Sequence, residues 1–571
     1  MPTDHFTTAN VSIDMEPPNA APTFDVIIIG AGLSGITCLH HVRQTFPTWR
    51  VKVVEAADEV GGTWYFNRYP GARLDSESIS YHLSWDKEYL QRWNWTEEFA
   101  SQPEILDYIR GLCDKNELRR DIRFNTRIVS AKWEDNAEWL LVDAQGACYR
   151  SRFVITCAGI LSTPQLPDIP GIGHFAGQAH HTSRWPKNLD LENDLKGKRI
   201  GVIGTGATGI QTITAISKVR DIRSLTVFQR SASWCAPLRN SAISSEKIAE
   251  YKTSYEAIFD ECAKTSAGFL HGLDPRKTYD VSEEERLALW EHLYNEPGFG
   301  KWMGVFADTF TDPAANQLYS NWIAAKMRSR VNDPALAEKL IPKDHGFGTK
   351  RVPLDSGYLE AYNKDNVHLV DLRETPISTV MPTGILMRDG KEHELDVLVF
   401  ATGFDAITGA LNAIEWTGKD GRPLFESSTS TAMKDCSPIW TTGETRTFLG
   451  LMAPSLPNVF MILGPHQPFG NIPRSIENSV GVVMRLLQFI EKNGYTYCEP
   501  KQEAADRWFD HVVECSEGLL SSSVSSWSTG VNTNVEGRSN RRVAKYSGTY
   551  QQFLEKCWES ENDGWAALHF Q

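Results

Sequence analysis

Several features that would define a class at once are missing from this chain. No run of about 18 apolar residues occurs in its 571 positions, so no membrane-spanning helix is expected. Basic residues are not in excess: 58 Lys and Arg stand against 72 Asp and Glu, a formal net charge of −14. A nucleic-acid partner needs a basic face for its phosphates. The balance argues against one, though it leaves room for local basic pockets. None of the ten cysteines stands in a Cys-x-x-Cys pair, so neither a redox dithiol nor a disulfide framework is expected. A reducing, cytoplasmic setting follows. The first 23 residues carry acids and prolines and no apolar segment of a signal peptide, which predicts a disordered lead.

What is present is ordinary globular composition, 41% hydrophobic and 23% charged, in a chain too long for one core. Residues 24–56 read strand, glycine-rich turn, helix, strand. Residues 199–230 repeat that order, "RIGVIGTGATGIQTITAIS" and then "SLTVFQR". Further strands are expected at 153–160, at 395–405 and in "NVFMILG", with helices over 103–115 and 475–492. Ser101 and Glu104 fit a capping box for the first of these helices. Between 241 and 340 the pattern turns helical, with charged and aromatic residues mixed. The expected architecture is α/β, with two Rossmann-like dinucleotide-binding domains. One comprises 24–165 and 390–571, the other 166–240 and 341–389, with 241–340 inserted as helices in the second.

Gly30, Gly32 and Gly35 form G-x-G-x-x-G directly after a strand. The first glycine permits the tight turn, the second admits a pyrophosphate to the backbone, and the third lets helix and strand pack closely. Ser34 lies inside the motif. Glu55, at the end of the next strand, is placed to accept hydrogen bonds from a ribose. Gly204, Gly206 and Gly209 repeat the motif, with Thr205, Ala207, Thr208 and Gln211 beside them. Here the following strand ends in Gln229, Arg230 and Ser231, not in an acid. A carboxylate there would repel a 2′-phosphate and Arg230 would bind one, so NADPH is expected over NADH. The other reading of Arg230 is a solvated charge. Two dinucleotide sites imply electron traffic between a nicotinamide and a flavin. With no paired cysteine for a disulfide route, oxygen is the expected oxidant.

"GGTWYFNRYPGARLDSES" (61–78) packs aromatics, two arginines and Asp75 into one loop, where Trp64 and Tyr65 can flank a flat ring. Arg73 and Asp75 are close enough in sequence to form a pair with no further role. Lys350 and Arg351, in "GFGTKRVPLDSGY", read on local sequence as solvated loop charges. The last unusual stretch is "FAGQAHHTSRWP" (175–186). Its adjacent His180 and His181 cannot easily share a metal ion, and no ligand cluster lies nearby. It reads as a linker between the two nucleotide folds.

That stretch matches F-x-G-x-x-x-H-x-x-x-W-P at Phe175, Gly177, His181, Trp185 and Pro186. "GGTWYFNRYPGARLD" matches a second signature, and "ATGFD" a third. On these motifs the chain resembles the type I Baeyer–Villiger monooxygenases over about residues 24 to 560, nearest the phenylacetone and cyclohexanone monooxygenase branch, and is similar to fungal members in its "NIPRSIE" segment. The resemblance implies FAD, NADPH, O2 and a ketone converted to an ester or lactone through a C4a-peroxyflavin, in a protein expected to be a monomer. It implies that Arg351 is the fixed cation beside the peroxide and that Asp75 orients it, which reverses the local reading of Arg351. Thr63, Trp64, Tyr65, Phe66, Asp75 and Tyr81 match positions lining FAD, and Arg73 and Leu74 match positions beside the nicotinamide nucleotide. Lys350 joins Arg230 and Ser231 at the phosphate. Trp527 matches a mobile-loop tryptophan that contacts the cofactor. His181 is expected to serve as a hinge.

The segment after Trp527, Ile160, and "GPHQPFGNIPRSIEN" depart from the usual pattern. The near alternative is a flavin-containing monooxygenase acting on sulfur or nitrogen, a family that shares the histidine but lacks the Trp-Pro ending. A non-catalytic flavoprotein would show a broken site, and Asp75, Lys350 and Arg351 are all present.

Overall fold

The computed structural model describes residues 21–426, 437–441, 444–535 and 538–571. The first 20 residues of the expected disordered lead lie outside them.

The first unit is built on strand β1 (Thr23–Ile29), helix α1 (Leu33–Thr45) and strand β2 (Val51–Val54). Val26, Ile27 and Ile28 of β1 have no exposed surface, as befits a parallel strand covered on both faces. Helix α2 (Thr63–Phe66) and helix α3 (Gln102–Lys115) follow, then strands β3 (Ile122–Arg123), β4 (Ile128–Trp133), β5 (Trp139–Asp143) and β6 (Cys148–Thr156). β1 runs parallel between β2 and β6, with Ile29 level with Val54 and Thr156. The carboxyl ends of the three strands therefore open at one edge, where a doubly wound sheet takes its ligand. Strands Glu415–Thr417 and Val459–Met461 return from the far end of the chain to complete eight strands.

The second sheet has five parallel strands. They are β7 (Gln178–His181), β8 (Arg199–Ile203), β9 (Ser224–Gln229), β12 (Val367–Asp371) and β13 (Val397–Phe400), in the order β12, β9, β8, β13, β7. Helix α4 (Ala207–Ile216) follows β8. Between β9 and β12 the chain pairs β10 (Ala236–Pro237) with β11 (Leu354–Asp355), in parallel. That two-stranded neck encloses five helices: α5 (Ser245–Lys264), α6 (Glu283–Asn295), α7 (Gly300–Met303), α8 (Pro313–Arg328) and α9 (Pro334–Leu340). Ser244, Ser282, Asp312 and Asp333 cap four of them through their side chains.

Five expectations need correction. β13 hydrogen-bonds to β8 and β7, so the second nucleotide sheet reclaims residues beyond 390, and the boundary expected there falls short of its last strand. The "FAGQAHHTSRWP" stretch is not a plain linker, because its centre is edge strand β7. Ser101 stands at the N-cap of α3 without a side-chain cap bond. Glu104 turns outward to Thr96, accepting from its backbone N–H at 2.6 Å and its hydroxyl at 3.0 Å, and the capping box does not form. The strand expected at 153–160 ends at Thr156. The helix expected over 475–492 runs from Ile472 to Asn493.

Candidate active site

The first glycine turn is closed wherever protein must pack and open where a ligand must approach. A Cβ at Gly30 would lie 2.5 Å from the Cys157 carbonyl oxygen, and one at Gly35 only 1.8 Å from the Gly30 carbonyl oxygen. Gly32 faces Gly62, and a Cβ on Gly62 would stand 2.9 Å from the Gly32 Cα. Two side-chain-free segments thus meet in a narrow notch, a cradle that added Cβ atoms would fill. Gly32 caps α1 with no side-chain bond, and the first turn holds no acid. Its free N–H groups and the helix dipole suit a pyrophosphate. Glu55 accepts from Ala31 N–H at 2.6 Å and from Ala57 N–H at 2.7 Å. Burial raises its pKa against the pull of those two bonds. The carboxylate thereby pins the turn from below, a role the sequence reading gave to a ribose contact alone.

Gly61 and Gly62 carry positive φ of 117° and 52° and turn the chain into α2. Trp64 Nε1 donates to Tyr81 Oη at 3.0 Å, Tyr65 bonds Asp58, and the Arg184 guanidinium lies 4.5 Å above the Phe66 ring. Trp64, Tyr65, Phe66 and Tyr81 are therefore fixed aromatics on and against the helix that Gly62 of the notch caps. These residues fit FAD.

The second turn repeats the logic. Cβ atoms at Gly204 and Gly209 would lie 2.4 Å from the Ala401 carbonyl oxygen and 2.3 Å from the Gly204 carbonyl oxygen, while one at Gly206 would meet nothing within 4 Å. Gly206 caps α4 without a side-chain bond or a first-turn acid, and Ala207 and Thr208 follow it, half-buried, in the first turn. Thr205 Oγ1 donates to the Ser231 carbonyl at 2.8 Å, tying the turn to the end of β9. Lys350 is pulled below the ordinary lysine pKa by burial, with Arg373 and Arg230 adding repulsion that Asp344 partly offsets. Three cations sharing one field suit a 2′-phosphate, so the site fits NADPH.

The "RYPGARLD" loop joins the two turns. Tyr69 Oη donates to Gln211 Oε1 at 2.8 Å, and Gln211 Nε2 donates to the Arg73 carbonyl at 3.2 Å. A Cβ at Gly71 would lie 2.7 Å from the Gln211 carbonyl oxygen, so only glycine lets the loop dock this closely on α4. Gln211 is committed to this loop, in which Leu74 is buried and Arg73 pairs with Glu97 at 3.3 Å. Two residues further on, Asp75 accepts from Arg351 Nη2 at 2.5 and 2.6 Å. Arg351 Nη1 donates to the Val352 carbonyl at 2.8 Å, and the guanidinium carbon lies 5.0 Å from the Phe299 ring and 5.2 Å from the Trp302 ring. The result is a caged cation, one-third exposed, between the two nucleotide turns.

His181 ends β7 level with Phe400. Its Nδ1 accepts from Ser183 N–H at 3.1 Å, and its Nε2 reaches the Gly403 carbonyl at 3.2 Å. Burial lowers its pKa to about 4, with Arg184 adding to the effect. It is a neutral strut between β7 and the segment after β13. Phe175 and Trp185 are buried on either side, and a Cβ at Gly177 would strike the Asp396 carbonyl oxygen at 2.5 Å. Pro186 follows Trp185 out of the short 3-10 turn Thr182–Arg184. Among the described residues no group of three His, Cys, Asp or Glu side chains could hold a metal.

Trp527 is 37% exposed in a short 3-10 turn, Trp527–Thr529. The chain beyond it docks against the segments after β13 and β9: Asn532 Nδ2 donates to the Phe404 carbonyl at 2.8 Å, Arg538 pairs with Asp405 at 2.7 Å, and Arg230 Nη1 donates to Thr533 Oγ1 at 2.8 Å. The unusual loop therefore reaches the phosphate cluster itself.

Sequence reasoning missed Phe299, Trp302 and Tyr69. The first two lie in the helical insertion, about 50 residues from Arg351, and no motif links them to it. Tyr69 was legible only as a member of its signature. It is half-buried beside Asp75, and burial followed by that charge drives its pKa well up.

Two dinucleotide-type glycine turns, joined by a loop that docks on the helix of the second and holds a caged guanidinium through Asp75, define a flavin- and nicotinamide-dependent oxidoreductase. Residues 24–241 match the flavin-binding monooxygenase-like family. A 2-oxo-Δ3-4,5,5-trimethylcyclopentenylacetyl-CoA monooxygenase of Pseudomonas putida is 40% identical over 94% of this chain and 96% of its own. The phenazine N-monooxygenase PhzNO1 of Lysobacter antibioticus is 39% identical over 95% and 96%. The crystal structure of cyclohexanone monooxygenase from Rhodococcus sp. Phi1 bound to NADP+ superposes with a TM-score of 0.90 at 35% identity, covering 97% of this chain and all of the other. The chain belongs to the Baeyer–Villiger monooxygenases.

Proposed function

We propose that the chain is an FAD-dependent monooxygenase that uses NADPH and O2 to convert a ketone to an ester or lactone. The observation that carries the reading is the Asp75–Arg351 pair, fixed between two glycine turns that fit FAD and NADPH. The bound cofactors supply hydride and activated oxygen, and the chain's residues set where charge is tolerated. Arg351 offers a fixed positive charge beside the flavin cradle, where negative charge on oxygen must be held for it to attack a carbonyl. Asp75 keeps that guanidinium from turning to solvent. Arg230, Lys350 and Ser231 choose the phosphorylated nicotinamide. His181 and the loop after Trp527 both bear on the end of β13, and this junction is the hinge between the nucleotide units.

The division into units follows the sheets. The first comprises 24–165 and the chain after about 405. The second comprises 166–240 and 341 to about 405, with 241–340 as its helical insertion. The enzyme works as a monomer in the cytoplasm, and the buried thiols of Cys113, Cys235 and Cys498, which form no disulfide, suit a reducing compartment.

A second reading, oxidation of a nitrogen or sulfur centre, is favoured by one observation: a phenazine N-monooxygenase is nearly as similar as any ketone-named relative given above. The deciding experiment is side-by-side turnover of ketones, including bulky polycyclic ones, against a thioether and an aromatic amine. NADPH, O2 and product are counted in each. Ester formed in step with NADPH supports the ketone reading. Product from the heteroatom substrates alone overturns it.

A further inference from the structure

Lys301 is fully buried in α7, and no part of the proposed chemistry uses it. Its ammonium donates to three backbone carbonyls: Pro237 at 2.9 Å, Glu296 at 2.6 Å and Gly298 at 3.0 Å. An ammonium has three donors and no acceptor, so each is spent. Its own carbonyl accepts from Tyr319 Oη at 2.5 Å. Burying a charge with no carboxylate in contact is costly. Burial, with Arg239 adding to it and Glu77, Glu296 and Asp355 opposing it, takes its pKa down only to about 8.

The three carbonyls lie on the two supports of Arg351. Glu296 and Gly298 lead into Phe299 and Trp302, the rings that cage the guanidinium. Pro237 belongs to β10, which pairs with β11 just downstream of Arg351; Ala236 N–H reaches the Pro353 carbonyl, and Leu238 N–H the Asp355 carbonyl at 2.8 Å. A Cβ at Gly348 would lie 3.0 Å from Trp302 Nε1, so the loop entering Arg351 also rests on this cage. One ammonium ties the aromatic cage to the backbone that carries the caged residue.

We propose that Lys301 is a positioning residue for Arg351, locking the Phe299–Trp302 cage to the β10–β11 neck so that the guanidinium is held at one place beside the flavin cradle. This rests on the reading of Arg351 as the oxygenation cation. Lys301 touches neither substrate nor cofactor and acts through the cage and the neck.

The test compares holoenzymes carrying Lys301→Gln, which keeps two donors, Lys301→Met, which keeps none, and Trp302→Leu, which opens the cage directly. Hydrogen exchange is followed by mass spectrometry in peptides spanning 296–303 and 350–356, beside NADPH-driven flavin reduction and ester formed per NADPH consumed. The expected result is faster exchange in both peptides, by about tenfold in Lys301→Met and less in Lys301→Gln. Flavin reduction stays within about twofold of the parent, and ester per NADPH falls severalfold as oxygen escapes to hydrogen peroxide. Trp302→Leu should lower ester yield equally, and combining it with Lys301→Gln should add little. Unchanged ester yield in a folded Lys301→Met overturns the proposal. So does exchange rising in one peptide only, or a parallel loss of flavin reduction. If neither Lys301 variant folds, Lys301 is a folding residue and the proposal falls. Normal ester yield in Arg351→Ala would instead remove the underlying reading, whatever the exchange data show.

Discussion

At the scale of single residues, the site separates glycines that serve the fold from those that serve a ligand. Gly35 has no room for a Cβ, which would sit 1.8 Å from a backbone oxygen, whereas Gly206 faces open space. Gly35→Ala should therefore fail to retain FAD and lose thermal stability. Gly206→Ala should fold and bind FAD normally but raise the KM for NADPH at least tenfold, since only the pyrophosphate needs that space. Yellow colour after gel filtration and initial rates against NADPH check both, and a Gly206→Ala enzyme with unaltered KM would mean the phosphates pass elsewhere. Asp75 offers the complementary case. One guanidinium nitrogen spans both its oxygens, and an amide in its place keeps one acceptor and loses the charge. Asp75→Asn should leave flavin reduction within a few fold and cut ester per NADPH by about tenfold or more. Equal losses in both half-reactions would show that Asp75 holds the flavin and does not serve Arg351.

Secondary-structure elements bring these residues together, and specificity for the nicotinamide is set at this scale. The end of β9 supplies Arg230 and Ser231, and the loop before β11 supplies Lys350, so the phosphate site depends on two elements separated by the whole helical insertion. Removing either cation should raise the KM for NADPH by about 10- to 100-fold, on the order of 1–3 kcal/mol for a charge-assisted bond, with little change for NADH. A fall in both activities alike would argue against a 2′-phosphate at Arg230. That element pairing also marks how far the sequence was legible. Both glycine turns, the acid after one and the arginine after the other announce themselves, because local backbone geometry dictates those residues. Lys350 and Arg351 did not, since a Lys-Arg pair in a loop is usually solvated, and only resemblance assigned them. Phe299, Trp302 and Lys301 were invisible, because their role comes from packing between distant segments and leaves no spacing to read. β13 was assigned to the wrong unit for a related reason: an apolar strand carries no mark of the sheet it joins. The Ser101–Glu104 box failed because Glu104 found two donors at Thr96.

For the whole molecule, three buried histidines stand at joints between segments. His82 accepts or donates at Tyr255 Oη of α5 at 3.2 Å, and its carbonyl takes Arg474 from helix Ile472–Asn493. His181 joins β7 to the segment after β13. His466 reaches Thr445 and Thr447 at 3.1 Å and the Val543 carbonyl at 3.2 Å. Burial first, with neighbouring arginines, lowers their pKa to about 3, about 4 and about 4, against an ordinary 6.5. A histidine whose folded pKa is depressed binds its proton more readily in the unfolded chain. Its contribution to stability is complete above pH 6.5 and is lost as pH falls toward the folded value. A shift of this size is worth about 2 kcal/mol between pH 7 and 5, and three such joints form a sizeable part of a typical 5–15 kcal/mol total. Buried Glu55 and half-buried Glu477, whose pKa values are raised by desolvation, act in the opposite sense, so the overall pH curve mixes both signs. A difference measurement isolates one joint. His466→Gln keeps hydrogen-bonding capacity but cannot titrate, and should cost stability at pH 7. That deficit should shrink by about 2 kcal/mol by pH 5, as the parent loses what the variant never had. Denaturant midpoints of both proteins at pH 7, 6 and 5 give the answer, and a gap that stays constant across the range would show that His466 does not titrate on unfolding.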